Sequence, residues 1–221
     1  MSVVIEPVGR VLLRDQALTA IREAIVRGDL LPGAVVKDAD LAARLGLSVA
    51  PVRTALARLA DEGLVEAKPQ SHTRVTPLVL QQVRDAAVVV RAMHELAARE
   101  AVGRVTDADV AAMRTANARF AAAAGAGDLD AALDADDALH RVLLDRCGNA
   151  AVTATVDRFT PTIRRLERQR FAAAHGQGSV ALHDRLIAAC AAGDVEDAVA
   201  TTTEIWTALL SELEEIPDDA R

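Results

Sequence analysis

The sequence predicts a mainly α-helical protein, with an N-terminal winged helix-turn-helix over residues 1–77 and an all-helical bundle over residues 78–221. Three observations lead there. Hydrophobic residues make up 51% of the chain but aromatics only 2%, with no Tyr, so alanine fills much of the apolar quota. Alanine is the best helix former, whereas strands draw on β-branched and aromatic side chains. Strand-like runs occur only near residues 64–76, and glycines punctuate the remainder at helical lengths.

The elements follow in order. Ala17, Leu18, Ile21, Ala24 and Ile25 recur at helical spacing and predict a helix from about Arg14 to Arg27, ended by Gly28-Asp29 and the turn Leu30-Leu31-Pro32-Gly33. Asp38 is placed to N-cap a second helix through Arg44, with Leu41 and Leu45 facing inward, and Gly46 stops it. Ser48 is placed to cap a third helix to about Glu62, with Pro51 in its first turn, where proline is tolerated. Residues 64–67 and 73–76 read as two strands around the tip Lys68-Pro69-Gln70-Ser71-His72. After Pro77 the pattern predicts helices near 80–102, 107–125, 128–146, 149–158, 161–174, 179–192 and 195–214. Their expected caps are Thr106, Asp128, Asn149, Thr160 before Pro161, Ser179 and Asp194.

The net charge is −7, but it is divided unevenly: +1 over residues 1–78 and −8 over residues 79–221. Acid is thus kept away from the half that carries the helix-turn-helix pattern. No apolar run reaches membrane-span length, and residues 1–14 carry Glu6, Arg10 and Arg14 without a signal-type apolar core, so a soluble cytoplasmic protein is expected. Cys147 and Cys190 lack metal-type spacing and are expected to be buried thiols.

The stretch from Leu41 to Ser48, Leu-Ala-Ala-Arg-Leu-Gly-Leu-Ser, followed by Pro51-Val-Arg-Thr-Ala-Leu-Ala-Arg-Leu-Ala-Asp-Glu-Gly-Leu64, resembles the winged helix-turn-helix of the GntR family. Gly28-Asp-Leu-Leu-Pro-Gly33 before it and Arg74-Val-Thr-Pro77 after it fit the same order. In such a motif one helix enters the major groove and presents polar side chains at its N-terminal end to base edges and phosphates. Ser48, Arg53 and Thr54 lie at that end. Arg58 falls further along and reaches backbone or solvent, while His72 and Arg74 on the wing reach the adjacent groove or sugar-phosphate. The resemblance departs at Val49, where family members usually carry Arg, and at Ser71-His72, where the wing often has Gly. Loss of a bidentate arginine removes about 1–3 kcal/mol of base discrimination.

Asp136-Asp-Ala-Leu-His140 with Cys147-Gly-Asn149, Arg91-Ala-Met-His-Glu95, and His183-Asp-Arg-Leu-Ile-Ala-Ala-Cys-Ala-Ala-Gly-Asp194 look like the FCD effector domain of the FadR-type GntR subfamily. The resemblance implies a divalent metal, held by an Asp and three His inside the bundle, that binds a small carboxylate effector. Asp136 and His140 are four residues apart, so they share one helix face, although that spacing is equally that of an ordinary surface pair. Carboxylate oxygen with imidazole nitrogen suits Zn²⁺, Ni²⁺ or Mn²⁺. The family's last His falls on Ile205. Either Asp136, His140 and His183 hold the metal with an incomplete set, or His140, His183 and Arg91 meet the effector directly. The expected effector contacts are Arg91, Asp136, His140 and His183. His94 reads as a packed or exposed histidine, and Arg164, Arg165, Arg168 and Arg170 as a mostly solvated basic face from which Arg164 or Arg168 turns inward.

The function expected is a ligand-responsive DNA-binding regulator and not an enzyme. Its expected partners are a palindromic DNA operator, a small anionic metabolite and a second copy of the chain, with no membrane. Two other classes stay open on the sequence: a metal-dependent hydrolase built on Asp136, His140 and His183, and an interaction module that has lost DNA binding.

Overall fold

The computed structural model describes residues 12–67, 72–170 and 176–214. The chain divides into two compact units, Met1–Pro77 and Leu78–Arg221.

In the first unit, α1 (Leu13–Arg27), β1 (Val35–Val36), α2 (Asp38–Leu45), α3 (Val49–Asp61), β2 (Val65–Ala67) and β3 (Thr73–Val75) surround one apolar core. Ala17, Leu18, Ile21 and Ile25 of α1 meet Val52, Ala55, Leu56 and Leu59 of α3 there. The sheet order is β1-β3-β2, all antiparallel, with Arg74 opposite both Val35 and Glu66. A two-residue strand such as β1 is too short to announce itself by alternation. Asp38 is the first residue of α2, and Lys37 holds the cap position. Gly46 closes α2 with φ +65, a left-handed conformation that lets the chain turn at once into α3. Ser48 holds the cap position of α3 with extended backbone but makes no side-chain cap hydrogen bond. The wing-tip residues 68–71 lie outside the described residues.

The second unit packs α4 (Leu80–Ala101), α5 (Asp107–Ala126), α6 (Leu129–Cys147), α7 (Ala150–Arg170), α8 (Gly176–Ala192) and α9 (Val195–Glu214) around a second core, with a short 3-10 turn at Val102–Arg104. Among the described residues this unit holds no strand. Thr106 and Asp109 form a capping box on α5, Asp128 caps α6 by accepting from Ala131 N, and Asn149 Oδ1 accepts from Ala151 N and Val152 N at the start of α7.

The expected break at Thr160-Pro161 is not there: α7 runs straight through, with Pro161 inside it. The Thr160 hydroxyl, expected as a cap, instead donates to Val156 O at 2.8 Å. Val152 and Val156 before the proline, and Ile163 and Leu166 after it, all belong to the bundle core. Packing of one continuous apolar face therefore outweighs the local cost of a mid-helix proline. Ser179 likewise lies within α8 and does not start it. Cys147 and Cys190 are free and buried. Among the described residues no helix is long and apolar enough to cross a membrane.

Candidate functional site

The first unit exposes the polar end of α3. Ser48, Arg53, Thr54 and Arg58 are all exposed, while the apolar side of the same helix closes the core. Arg53 is 74% exposed and donates from Nε to Asp38 Oδ2 at 3.0 Å. A pair this exposed contributes little to folding and leaves the guanidinium free to exchange carboxylate for phosphate or base. The Thr54 hydroxyl donates to Ala50 O, and Arg58 lies 3.8 Å from Glu62. His72 and Arg74 are half-buried, with Arg74 donating to His72 Nε2 at 3.3 Å. Val49 is half-buried against the core of this unit, which gives the residue a packing role at the place where the resemblance has Arg.

The second unit buries a cluster of polar groups. Asp136 and His140 project from one face of α6, and α8 brings in His183. One donor atom from each lies within 4.8 Å of the others. His183 Nε2 is 3.2 Å and His140 Nε2 is 3.7 Å from Asp136 Oδ1. Donors at about 2.0–2.1 Å from one tetrahedral ion stand about 3.3 Å apart, so these separations fit a shared cation.

The second layer strengthens that fit. Asn117 of α5, which is 3% exposed, lies with Oδ1 3.1 Å from His183 Nδ1, while its own amide donates to Asp184 Oδ1 at 2.7 Å and Val180 O at 3.2 Å. With both amide protons committed, Asn117 Oδ1 can only accept, so His183 Nδ1 donates to it and Nε2 is the ring nitrogen turned toward Asp136. That Nε2 is buried without a hydrogen-bond partner and faces a carboxylate oxygen. A second-layer partner fixing the other ring nitrogen is the usual arrangement of a ligating histidine.

Charge is arranged around this cluster. Arg164 of α7 donates to Asp136 Oδ2 and Asp137 Oδ1, each at 2.5 Å, and to Glu167 Oε2 at 2.8 Å. Burial by itself would raise the Asp136 carboxyl, but Arg164 and then His140 and His183 outweigh it and hold the group well below the usual carboxylate range. Burial lowers His140 to about 4, with His183 and Arg164 adding to the effect against Asp136. His94 is lowered to about 3, chiefly by burial and then by His140. At neutral pH both rings are neutral and have lone pairs available.

His94 is packed: it is 6% exposed and lies 5.3 Å from His140 between ring centres, at the edge of the cluster. Other expectations change. Arg164, Arg165 and Arg168 do not form a solvated face: Arg165 is buried, and the other two side chains are only 13% and 14% exposed, with Arg168 paired to Asp130. The side chain of Arg170 lies outside the described residues. Arg91 lies 3.5 Å from Glu95, whose carboxylate also accepts from Thr203. Glu204 is taken by Arg185 at 2.6 Å, so it does not substitute for the missing histidine. Asn117 and Trp206 escaped sequence reading altogether; neither belongs to a spaced motif, and only the fold brings them to the histidines.

Residues 13–75 match the model described as "Bacterial regulatory proteins, gntR family", and residues 85–208 match that of the FCD domain. The chain belongs to the GntR family. A Streptomyces ambofaciens relative, an HTH-type transcriptional regulator in an unstable DNA locus, is 32% identical over 194 residues, spanning 85% of this chain and 78% of its own. The Escherichia coli HTH-type transcriptional repressor RspR is 24% identical over 159 residues, 72% of this chain and 70% of its own. In fold, the chain is similar to E. coli McbR/YncC, with a TM-score of 0.83 at 20% identity, covering 93% of this chain and 99% of that one. This GntR protein is therefore a ligand-responsive DNA-binding transcription regulator with an FCD effector domain, and it is not an enzyme.

Proposed function

We propose that residues 1–77 form the DNA-binding domain and residues 78–221 the effector domain of a cytoplasmic homodimer that reads a palindromic operator. Twofold symmetry supplies the second half-site that a single recognition helix lacks. Ser48, Arg53 and Thr54 face the major groove, Arg58 lies against the backbone, and His72 and Arg74 reach from the wing. The effector is a small anionic, carboxylate-bearing metabolite. Asp136, His140 and His183 would hold a divalent metal of the Zn²⁺, Ni²⁺ or Mn²⁺ type, which when bound would supply a Lewis acid for the effector carboxylate.

The observation that carries this reading is the buried His183 Nε2, 3.2 Å from Asp136 Oδ1 and grouped with His140, while Asn117 fixes its other nitrogen. One carboxylate and two neutral imidazoles around M²⁺ leave a net charge near +1, which favours an anion in the open positions. Arg91 of α4 supplies a second contact to the effector, and Arg164 is the buried guanidinium already in contact with Asp136.

The test is a thermal-shift screen of small carboxylates against the full chain, with and without Zn²⁺, followed by gel shifts on the DNA upstream of its own gene. Carboxylates that stabilise only the metal-loaded protein and change operator affinity are expected. Stabilisation independent of metal, and unchanged in His140→Ala and His183→Ala, overturns the assignment of the site. Sedimentation showing only monomer at micromolar concentration, with and without DNA, overturns the dimer.

A further inference from the structure

Aromatic rings are scarce in this chain, and the bundle brings four of its helices' rings to a fifth in one continuous file. Trp206 of α9, His94 of α4, His140 of α6, His183 of α8 and Phe120 of α5 follow one another with centroid separations of 5.2, 5.3, 5.3 and 5.2 Å. His140 and His183 already share a donor cluster with Asp136. His94 stands at the same 5.3 Å from His140 as His183 does. A nitrogen about 2.0–2.1 Å from a zinc-like ion puts its ring centre about 3.2 Å away, so two imidazoles on one tetrahedral ion have centres about 5.2 Å apart. The His94–His140 and His140–His183 pairs both meet that spacing, with His140 in the middle.

The α9 side of the site gives the complementary observation. Position 205 presents Ile205, which packs against the bundle core. The next residue, Trp206, is 8% exposed and stacks on His94 with an interplanar angle of 26°. Its Nε1 is buried without a hydrogen-bond partner. A buried indole N–H is ordinarily satisfied, so this donor is suited to a water or to an oxygen of a bound molecule at the same centre.

We propose that His94 is the third imidazole donor of the metal centre, delivered by α4 where α9 presents Ile205, with Trp206 as the positioning residue stacked behind it. The proposal rests on the reading of Asp136, His140 and His183 as a metal site. His94 is the ring just outside that compact group, next to His140. The competing role for His94 is packing alone, and leucine, of similar bulk and without a nitrogen, separates the two.

The experiment uses the full chain, stripped with chelator, and measures Zn²⁺ affinity by competition with a chromophoric chelator. His94→Leu is expected to weaken Zn²⁺ binding at least about tenfold with little change in the melting temperature of the metal-free protein. Adding Ile205→His to His94→Leu is expected to return the affinity. In the Co²⁺-loaded wild type, proton NMR should show three exchangeable, paramagnetically shifted imidazole N–H signals. Two signals, or unchanged affinity in His94→Leu, overturn the proposal, and the signal count decides it even if His94→Leu fails to fold. If His140→Ala and His183→Ala also bind Zn²⁺ like the wild type, the metal centre itself fails, an outcome distinct from the loss of His94 alone.

Discussion

The two units treat charge in opposite ways. In the N-terminal unit Arg53 stands 74% exposed on a single carboxylate, and the polar end of α3 lies on the surface. In the bundle Arg164 is nearly enclosed, with Asp136, Asp137 and Glu167 around it and His94, His140 and His183 close by. The first arrangement costs little to disturb and suits a surface that exchanges its partners. The second is tied to folding, because each buried charge depends on its neighbours for solvation. A substitution at the reading head should therefore change binding while leaving the fold intact, and one at the buried cluster should change both.

The largest effect is expected at Arg164. Arg164→Met leaves three carboxylates without their shared cation, and breaking a buried pair of this kind costs about 3–5 kcal/mol. Urea denaturation of the metal-free protein measures it, and a loss comparable to that of an exposed pair would erase the contrast between the units. Asn117→Ala comes next. It leaves His183 Nδ1 unsatisfied, with a cost of about 1–3 kcal/mol in stability and a 10- to 100-fold loss in metal affinity. Intact Zn²⁺ binding in Asn117→Ala would show that the second layer does not set the ring.

The pH dependence is a third separation. His94 and His140 are lowered to about 3 and about 4, so below the ordinary histidine value near 6.5 the unfolded chain takes up protons that the folded bundle refuses. Metal-free stability should be flat above about pH 6.5 and fall as the pH drops toward 4. The groups facing these rings are each other, His183, Asp136, Asp137, Arg141 and Arg164. His94→Leu should flatten the fall, and an identical profile would place the titration elsewhere. The smallest effect on folding is expected at Arg53→Ala, within about 0.5 kcal/mol, although operator binding should be abolished. A folded Arg53→Ala that still binds its operator tightly would remove Arg53 from the readout.

Much of the helical framework was legible in the sequence, because Gly46, Gly127, Gly148 and Gly193 mark real ends and Thr106, Asp128 and Asn149 really cap. Pro161 misled for a physical reason: local rules end a helix there, while the residues on both sides share one buried face. The Asp136–His140 pair was legible from its helical spacing. The inward turn of Arg164 was expected, but its partners, and the neighbours of His94, Asn117 and Trp206, come from other helices, and no local spacing conveys that. Arg164 and Arg168 of α7 looked like part of a surface charge run because the sequence does not show that Asp130, Asp136 and Asp137 of α6 pair with them.

Trp206 has a practical consequence beyond coordination. It is the only tryptophan of a chain without tyrosine, and its indole rests on His94 at the edge of the donor cluster. Light at 295 nm therefore excites one chromophore at one address. Any ion or metabolite entering the cluster should alter the colour or yield of that emission, and DNA bound at the other unit adds no second emitter. With the effector at the proposed site, the unlabelled protein is its own optical gauge of occupancy, readable in the same cuvette in which operator is added.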